Sequence, residues 1–266
     1  MMTRKRSHDA NDRPRALVTG GAIRLGRAIA LALAKAGMDV AIGYHSSETA
    51  ARDTVRALRH QGARGVAVRV NLADAGGAGR LILRATRALG GLDVLVNNAA
   101  TFTRTPLGTV SATDFERCLA LNLRGPFLCA QAAVRVMPNG GHIVNLGDAG
   151  ADEAWPGYIP YLASKAGVVA LTRGLAAALV SRRIAVNCVA PGAVLRPVGF
   201  SRRRWARIRR GRAATVEQVT AAVVFFATCG PSVTGRVRVV AGRRGRRRAV
   251  GGGRRLRAGG SARRPS

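Results

Sequence analysis

Lysine is almost missing from this chain: only Lys5, Lys35 and Lys165 occur in 266 residues. Acids are also few, at 13 against 44 basic residues, and aromatic residues make up 4%. No apolar run approaches the roughly 18 residues of a membrane span, and the best stretch, 219–229, is too short. The N-terminus is basic but lacks an apolar core segment, so no secretory signal is expected. Cys118, Cys129, Cys188 and Cys229 form no CxxC spacing, and His8, His45, His60 and His142 are scattered. That pattern argues against a disulfide framework and against a zinc site, and it suits free thiols in a cytoplasmic enzyme. No metal and no membrane contact are expected.

The formal charge of +31 suggests a nucleic-acid partner until it is located. Residues 182–266 hold 22 arginines and a single acid, Glu217, while residues 1–181 hold 22 basic and 12 acidic residues. The excess therefore sits in the C-terminal third.

What the chain does have is 47% hydrophobic residues, rich in Ala, Val and Gly, which suits layered α/β packing. An apolar strand at 15–19 runs into a glycine turn at Gly20 to Gly26 and then a helical pattern over 27–36. Strand, glycine turn and helix in that order make the first βα unit of a dinucleotide fold, with Gly20, Ile23, Arg24, Leu25 and Gly26 facing the pyrophosphate. Strands are expected at 37–43, 66–72, 92–97, 142–146, 184–190 and 237–240. Helices are expected at 47–61, 77–89, 112–136 and 215–228, with 194–211 as a mobile substrate loop. Alternation with short connections predicts a parallel sheet covered on both faces.

After the strand at 142–146, Tyr161 and Lys165 stand four apart at the start of an Ala/Val/Leu-rich helix. Residues i and i+4 share a helix face, so a phenol and an ammonium enter one site. A cation beside a phenol lowers its pKa, which makes a proton-transfer device near neutral pH.

From about Arg15 to Gly242 the chain resembles the short-chain dehydrogenase/reductases. The resemblance rests on Thr19-Gly20 to Gly26, Asn97-Asn98-Ala99, Asn122, Tyr161-x3-Lys165 and Pro191-Gly192, in that order. It implies a single doubly wound parallel sheet (Rossmann fold) of about seven strands, commonly assembled as homotetramers. It also implies catalysis by Tyr161, Lys165 and Asn122, the last holding a water in the proton relay. Asn98, Ala99, Ala100, Pro191 and Gly192 would contact the cofactor, and Asn71 with Leu72 would lie by the adenine.

Two positions depart from the general family pattern. Arg24 stands where glycine is usual, and Asp148 stands where the catalytic serine is usual. Together with Phe102 they resemble the pteridine reductase branch, in which an arginine, a stacking phenylalanine and an aspartate meet the pterin. An ionised Asp148 would repel the oxyanion of a reduced ketone, whereas a carboxyl of raised pKa beside Tyr161 can protonate a pterin ring nitrogen. Plainer readings stay open: Asp148 as a turn aspartate, Arg24 as a phosphate or surface contact, and Phe102 as loop packing.

Cofactor choice is read at the end of the second strand. Tyr44, His45, Ser46 and Ser47 offer no carboxylate before Glu48, so a 2′-phosphate meets no repulsion and NADPH is expected. The chain divides into a basic leader (1–13), the reductase domain (14–242) and an Arg/Gly-rich tail (243–266), leader and tail being expected as disordered. Arg238 falls where the last strand is usually apolar, and Ala241-Gly242-Arg243 replaces the family's Asp-Gly-Gly. The tail reads as an out-of-frame extension, a solvated tail or a nucleic-acid-binding arm; an intact reading frame through 237–266 would sink the first. The main expectation is pteridine or dihydrofolate reduction. The alternatives are reduction of small carbonyl or 3-oxoacyl substrates, and an inactive fold with a basic binding tail.

Overall fold

The computed structural model describes residues 13–210 and 213–242. The leader and tail expectations at 1–12 and 243–266 lie outside the described residues. Seven strands form one parallel sheet: β1 (Arg15–Thr19), β2 (Asp39–Tyr44), β3 (Gly65–Arg69), β4 (Val94–Asn97), β5 (His142–Leu146), β6 (Ala185–Pro191) and β7 (Val237–Val240). Their order is β3-β2-β1-β4-β5-β6-β7. The chain steps outward from β1 to β3, then returns to place β4 beside β1. That reversal opens a crevice at the carboxyl ends of the central strands, where ligands of such sheets bind.

Both faces are covered. Helices α1 (Arg24–Lys35) and α2 (Glu48–His60) pack on one face with α8 (Val216–Thr228), around Ile29, Leu33, Val223 and Phe226. On the other face lie α3 (Gly77–Leu89), α5 (Gly125–Ala133) and α6 (Ile159–Ala178), around Leu81, Ile82, Ala130 and Ala176. The inner strands are correspondingly apolar on both sides; β6 is buried along its whole length.

Three expectations are corrected. The single helix over 112–136 is broken: α4 (Ala112–Leu119) gives way to a π-helical turn, Ala120–Arg124, before α5. Pro126 has no N–H to offer the carbonyl four residues back, that of Asn122, and its ring crowds that carbonyl. The expected substrate loop holds a helix, α7 (Arg202–Arg209), started by Ser201, whose hydroxyl accepts from the Arg204 N–H at 3.2 Å. Finally, Arg238 does not disrupt the last strand. β7 is the sheet edge, so Arg238 is exposed and lays its guanidinium 5.8 Å from the Phe225 ring centroid.

Candidate active site

Glycines shape the turn between β1 and α1. Gly20 has a φ of +62°, and a Cβ there would meet the Ala99 Cα at 3.0 Å. A Cβ on Gly26 would collide with the Gly20 carbonyl oxygen. Asn98 braces this turn by donating to the carbonyls of Thr19 and Gly20, at 2.9 and 3.2 Å. Ile23 caps α1 with extended backbone and no side-chain bond, and the first turn carries no acid. The first N–H groups of α1 therefore have no partner in the helix or its cap. A bare, glycine-lined helix start suits a pyrophosphate, so the residues present fit a nicotinamide dinucleotide.

The turn opens into a cleft of about 1150 Å³. Of the residues expected at the site, Arg24, Leu25, Asn98, Ala100, Phe102, Asp148, Tyr161, Lys165, Pro191 and Gly192 line it. Gly20, Ile23, Gly26, Ala99 and Asn122 do not line it; Gly26 and Asn122 are buried and Ile23 is exposed. Tyr44 to Ser47, Asn71 and Leu72 stand apart from the cleft, at the ends of β2 and β3. Among them Leu72 belongs to the core, and Asn71 is engaged in its own loop through Asp74 and Ala73.

Tyr161 and Lys165 are both buried on α6, as their spacing required. Their polarity is not as expected. The Tyr161 hydroxyl donates to Asp148 Oδ2 at 2.6 Å, while Lys165 Nζ donates to the Leu146 carbonyl at 2.7 Å. Burial first, and then the Asp148 charge and hydrogen bond, push the Tyr161 pKa well above 10. The expected lowering by Lys165 is thus corrected: desolvation, and then the Asp148 carboxylate, set the direction of the change. Burial likewise raises the Asp148 carboxyl, against the pull of Tyr161, the Gly150 N–H and Lys165. Lys165 is lowered by its burial, with Asp148 opposing. The result is a protonated phenol on a carboxyl that holds its own proton more readily than usual.

Asn122 sits in the π-helical turn and ties three elements together. It accepts from the Thr101 N–H at 2.8 Å and donates to the Thr101 carbonyl and to Ser164 Oγ, at 3.0 and 3.2 Å. Its side chain is committed to positioning the loop after β4 against α6.

Phe102 is in place but not solitary. Its ring stacks face to face on Tyr158, with centroids 4.5 Å apart and planes 4° apart, and meets Tyr161 edge-on at 4.7 Å. Trp155 and Phe200 complete an aromatic box. Arg24 reaches across the cleft mouth to donate to the Arg196 carbonyl at 2.8 Å. Of the basic run at 202–210, which falls in the expected substrate loop, Arg204, Arg207 and Arg210 line the cleft. Sequence reasoning missed Trp155, Tyr158, Phe200 and Trp205, which join the cleft only through folding. It also missed Arg69. β2 and β3 pair Tyr44 with Arg69, and the Arg69 guanidinium donates to the His45 carbonyl at 3.3 Å, beside Ser46 and Ser47.

Comparison with known proteins now assigns the family. Residues 21–242 match the family model described as enoyl-(acyl carrier protein) reductase. A 3-oxoacyl-[acyl-carrier-protein] reductase from Synechocystis is 39% identical over 179 residues, covering 66% of this chain and 72% of the relative. A short-chain dehydrogenase from Burkholderia cenocepacia, solved in complex with NADP, superposes with a TM-score of 0.82 at 34% identity, covering 86% and 97% of the two chains. A blue fluorescent protein from a metagenomic library, solved with NADPH, gives 0.81 at 36% identity, covering 86% and 96%. The chain belongs to the short-chain dehydrogenase/reductase family of NAD(P)-dependent oxidoreductases. No helix among the described residues is long and apolar enough to cross a membrane. The Synechocystis name points to ketone reduction, so the comparisons favour the carbonyl alternative over the pteridine branch expected from Arg24, Phe102 and Asp148.

Proposed function

We propose that the protein is an NADPH-dependent reductase that adds hydride and proton across a conjugated C=N bond of a flat heteroaromatic substrate of the pteridine class. The observation that carries this reading is the 2.6 Å hydrogen bond from Tyr161 to Asp148 at the head of the cleft. NADPH, when bound, supplies the hydride. Its pyrophosphate suits the start of α1. Its 2′-phosphate suits the carboxylate-free turn at His45, Ser46 and Ser47, with Arg69 as the nearby cation.

The chain's residues supply the proton. Hydride arriving at the ring carbon leaves an electron pair on the adjacent nitrogen, which takes the hydroxyl proton of Tyr161. The Asp148 carboxyl passes its proton to the phenol oxygen, and the pair is reset from solvent. One C–H and one N–H bond form as the double bond is lost. Lys165, held by the Leu146 carbonyl, keeps a positive charge behind the phenol while it is transiently anionic. Phe102 offers a ring for stacking, worth about 0.5–1.5 kcal/mol beyond burial.

A second reading has its own support, the 3-oxoacyl reductase among the relatives. The raised pKa of Asp148 removes part of the electrostatic objection: a neutral carboxyl can donate to a carbonyl oxygen much as a hydroxyl does. One assay separates the two readings. NADPH oxidation is followed with dihydrobiopterin, dihydrofolate, a 3-oxoacyl thioester and small ketones, for wild type and Tyr161→Phe. Turnover of the pterins above the carbonyl compounds, abolished in Tyr161→Phe, supports the first reading. Carbonyl-only turnover overturns it in favour of the second.

A further inference from the structure

The lining of the cleft carries a cluster of arginines. From α7 Arg204, Trp205, Arg207 and Ile208 line the cavity, followed by Arg210, and Arg104 in the loop after β4 lines it too. These arginines divide into two groups. Arg204 is already used, donating to the Tyr158 hydroxyl at 3.3 Å and lying 3.9 Å from the Phe200 ring centroid. Arg104, Arg207 and Arg210 make no side-chain hydrogen bond or ion pair among the described residues. Among the described residues, only two acids line the same cavity. Asp148 has a raised pKa, and Glu153 accepts from the Trp155 indole N–H at 3.2 Å.

A solvated arginine run is ordinarily uninformative, but this one overhangs an aromatic floor. A concave wall of one sign concentrates the field inside the cleft. Guanidinium groups also match carboxylate geometry better than ammonium groups do. A substrate with an uncharged tail would leave this wall without a partner.

Resting on the pteridine reading above, we infer that the preferred substrate carries a carboxylate-bearing tail, with its ring in the Phe102 box and its carboxylates against Arg104, Arg207 and Arg210. The arrangement favours pteroylglutamate-type ligands over pterins with neutral side chains.

The test uses the chain's only two tryptophans, Trp155 and Trp205, which both line the cleft and report on it by fluorescence. Quenching is titrated with dihydrofolate and with dihydrobiopterin at low and high NaCl, beside the turnover of each. Dihydrofolate is expected to bind about tenfold more tightly at low salt, with the advantage shrinking as salt screens the arginines. In the double variant Arg104→Gln/Arg207→Gln that ratio should fall about fivefold or more, while Arg87→Gln, on α3, keeps it. The wild-type salt series needs no variant and stands if the double variant folds poorly. Equal affinities at both salts, with both pterins turned over, overturn the inference and leave the pteridine reading intact. Neither pterin quenching nor turning over removes that reading and the inference with it. Salt-sensitive binding of a 3-oxoacyl thioester on an acidic carrier protein, without dihydrofolate binding, assigns the arginines to a protein partner and overturns the proposal.

Discussion

The Tyr161 hydroxyl is bonded to Asp148, at 2.6 Å, and not to Lys165, whose ammonium is held by the Leu146 carbonyl. This relationship changes what the tyrosine is. With a carboxylate as neighbour and little water, the phenol keeps its proton, which suits a donor in reduction. Under the reading proposed above, Asp148 is the residue that sets which bonds can be reduced.

Exchanging Asp148 for the family's usual residue should therefore move the substrate preference. Asp148→Ser removes the second acid and restores a neutral hydroxyl donor. Pterin kcat/KM is expected to fall by about 10²–10⁴, the usual worth of a positioned acid, while turnover of a 3-oxoacyl thioester rises or holds. Parallel loss on both substrates would show that Asp148 is needed for folding or cofactor geometry instead. Steady-state kinetics on both substrates decides between these outcomes.

The pH profile follows from the same pair. Burial raises the Asp148 carboxyl above its ordinary value of 3.8, so its protonated form persists to higher pH than in water. Reduction that needs this proton is flat below the raised pKa and declines as pH rises through it. In Asp148→Asn that limb should vanish from the kcat/KM profile, leaving a lower and flatter curve. Wild-type activity that rises with pH over the same window would contradict the proton assignment.

Much of this site was legible because its residues are local in sequence. Tyr161 and Lys165 needed only helical spacing, and Gly20 and Gly26 only a strand before and a helix after. The sign of the tyrosine shift was not legible, since it depends on Asp148 lying 13 positions earlier and arriving beside the phenol through β5 and α6. The aromatic box draws Phe102, the Trp155–Tyr158 turn and Phe200 from three segments far apart in sequence, so no periodicity announces it. The broken helix at Asn122 had a visible cause in Pro126, whereas α7 offers only the pair Trp205 and Ile208 among arginines and is started by its Ser201 cap.

Arg69 illustrates the same limit and gives a prediction for cofactor choice. Its relevance comes from strand register, which sets it beside Tyr44 and brings its guanidinium to the His45 carbonyl. If the 2′-phosphate lies at this turn, Arg69→Ala should weaken NADPH binding about tenfold and leave NADH binding nearly unchanged. Equilibrium titration of nucleotide fluorescence measures both. Equal weakening of the two cofactors would move the 2′-phosphate elsewhere.

Arg24 combines a strained backbone with a contact at the cleft. Its φ of +51° is one that side chains other than glycine rarely adopt, and its side chain closes the cleft mouth by donating to the Arg196 carbonyl at 2.8 Å. Arg24→Gly should relieve about 1 kcal/mol of backbone strain while releasing residues 194–200 from the glycine turn. The expected result is unchanged or slightly raised thermal stability together with an increased KM for substrate. Arg24→Lys should behave differently. It keeps the strained backbone and a cation but presents a point charge in place of a planar fork, so it loses stability relative to Arg24→Gly while partly preserving KM. A fall in stability in both variants, with KM unaffected, would mean that Arg24 serves the turn alone.

The last prediction concerns stability and comes from the direction of the Asp148 shift. A carboxyl whose pKa is raised by folding binds its proton more tightly in the native state than in the unfolded chain. Well below 3.8 it is neutral in both states and has no effect. As pH rises from there the unfolded chain ionises first, so the native state is increasingly disfavoured until its own carboxyl ionises, and the penalty then stays constant. Asp148→Asn removes that penalty and still accepts the Tyr161 hydroxyl proton through its amide oxygen. Its melting temperature should therefore match wild type well below pH 3.8 and exceed it at about pH 7, by about 2–4 °C for each kcal/mol relieved. A gap that is constant with pH would trace to packing rather than to charge. A wild type more stable than Asp148→Asn at pH 7 would mean that the attraction between Asp148 and buried Lys165 outweighs the desolvation of the carboxylate, reversing the order of causes on which the proton-donor role of Asp148 rests.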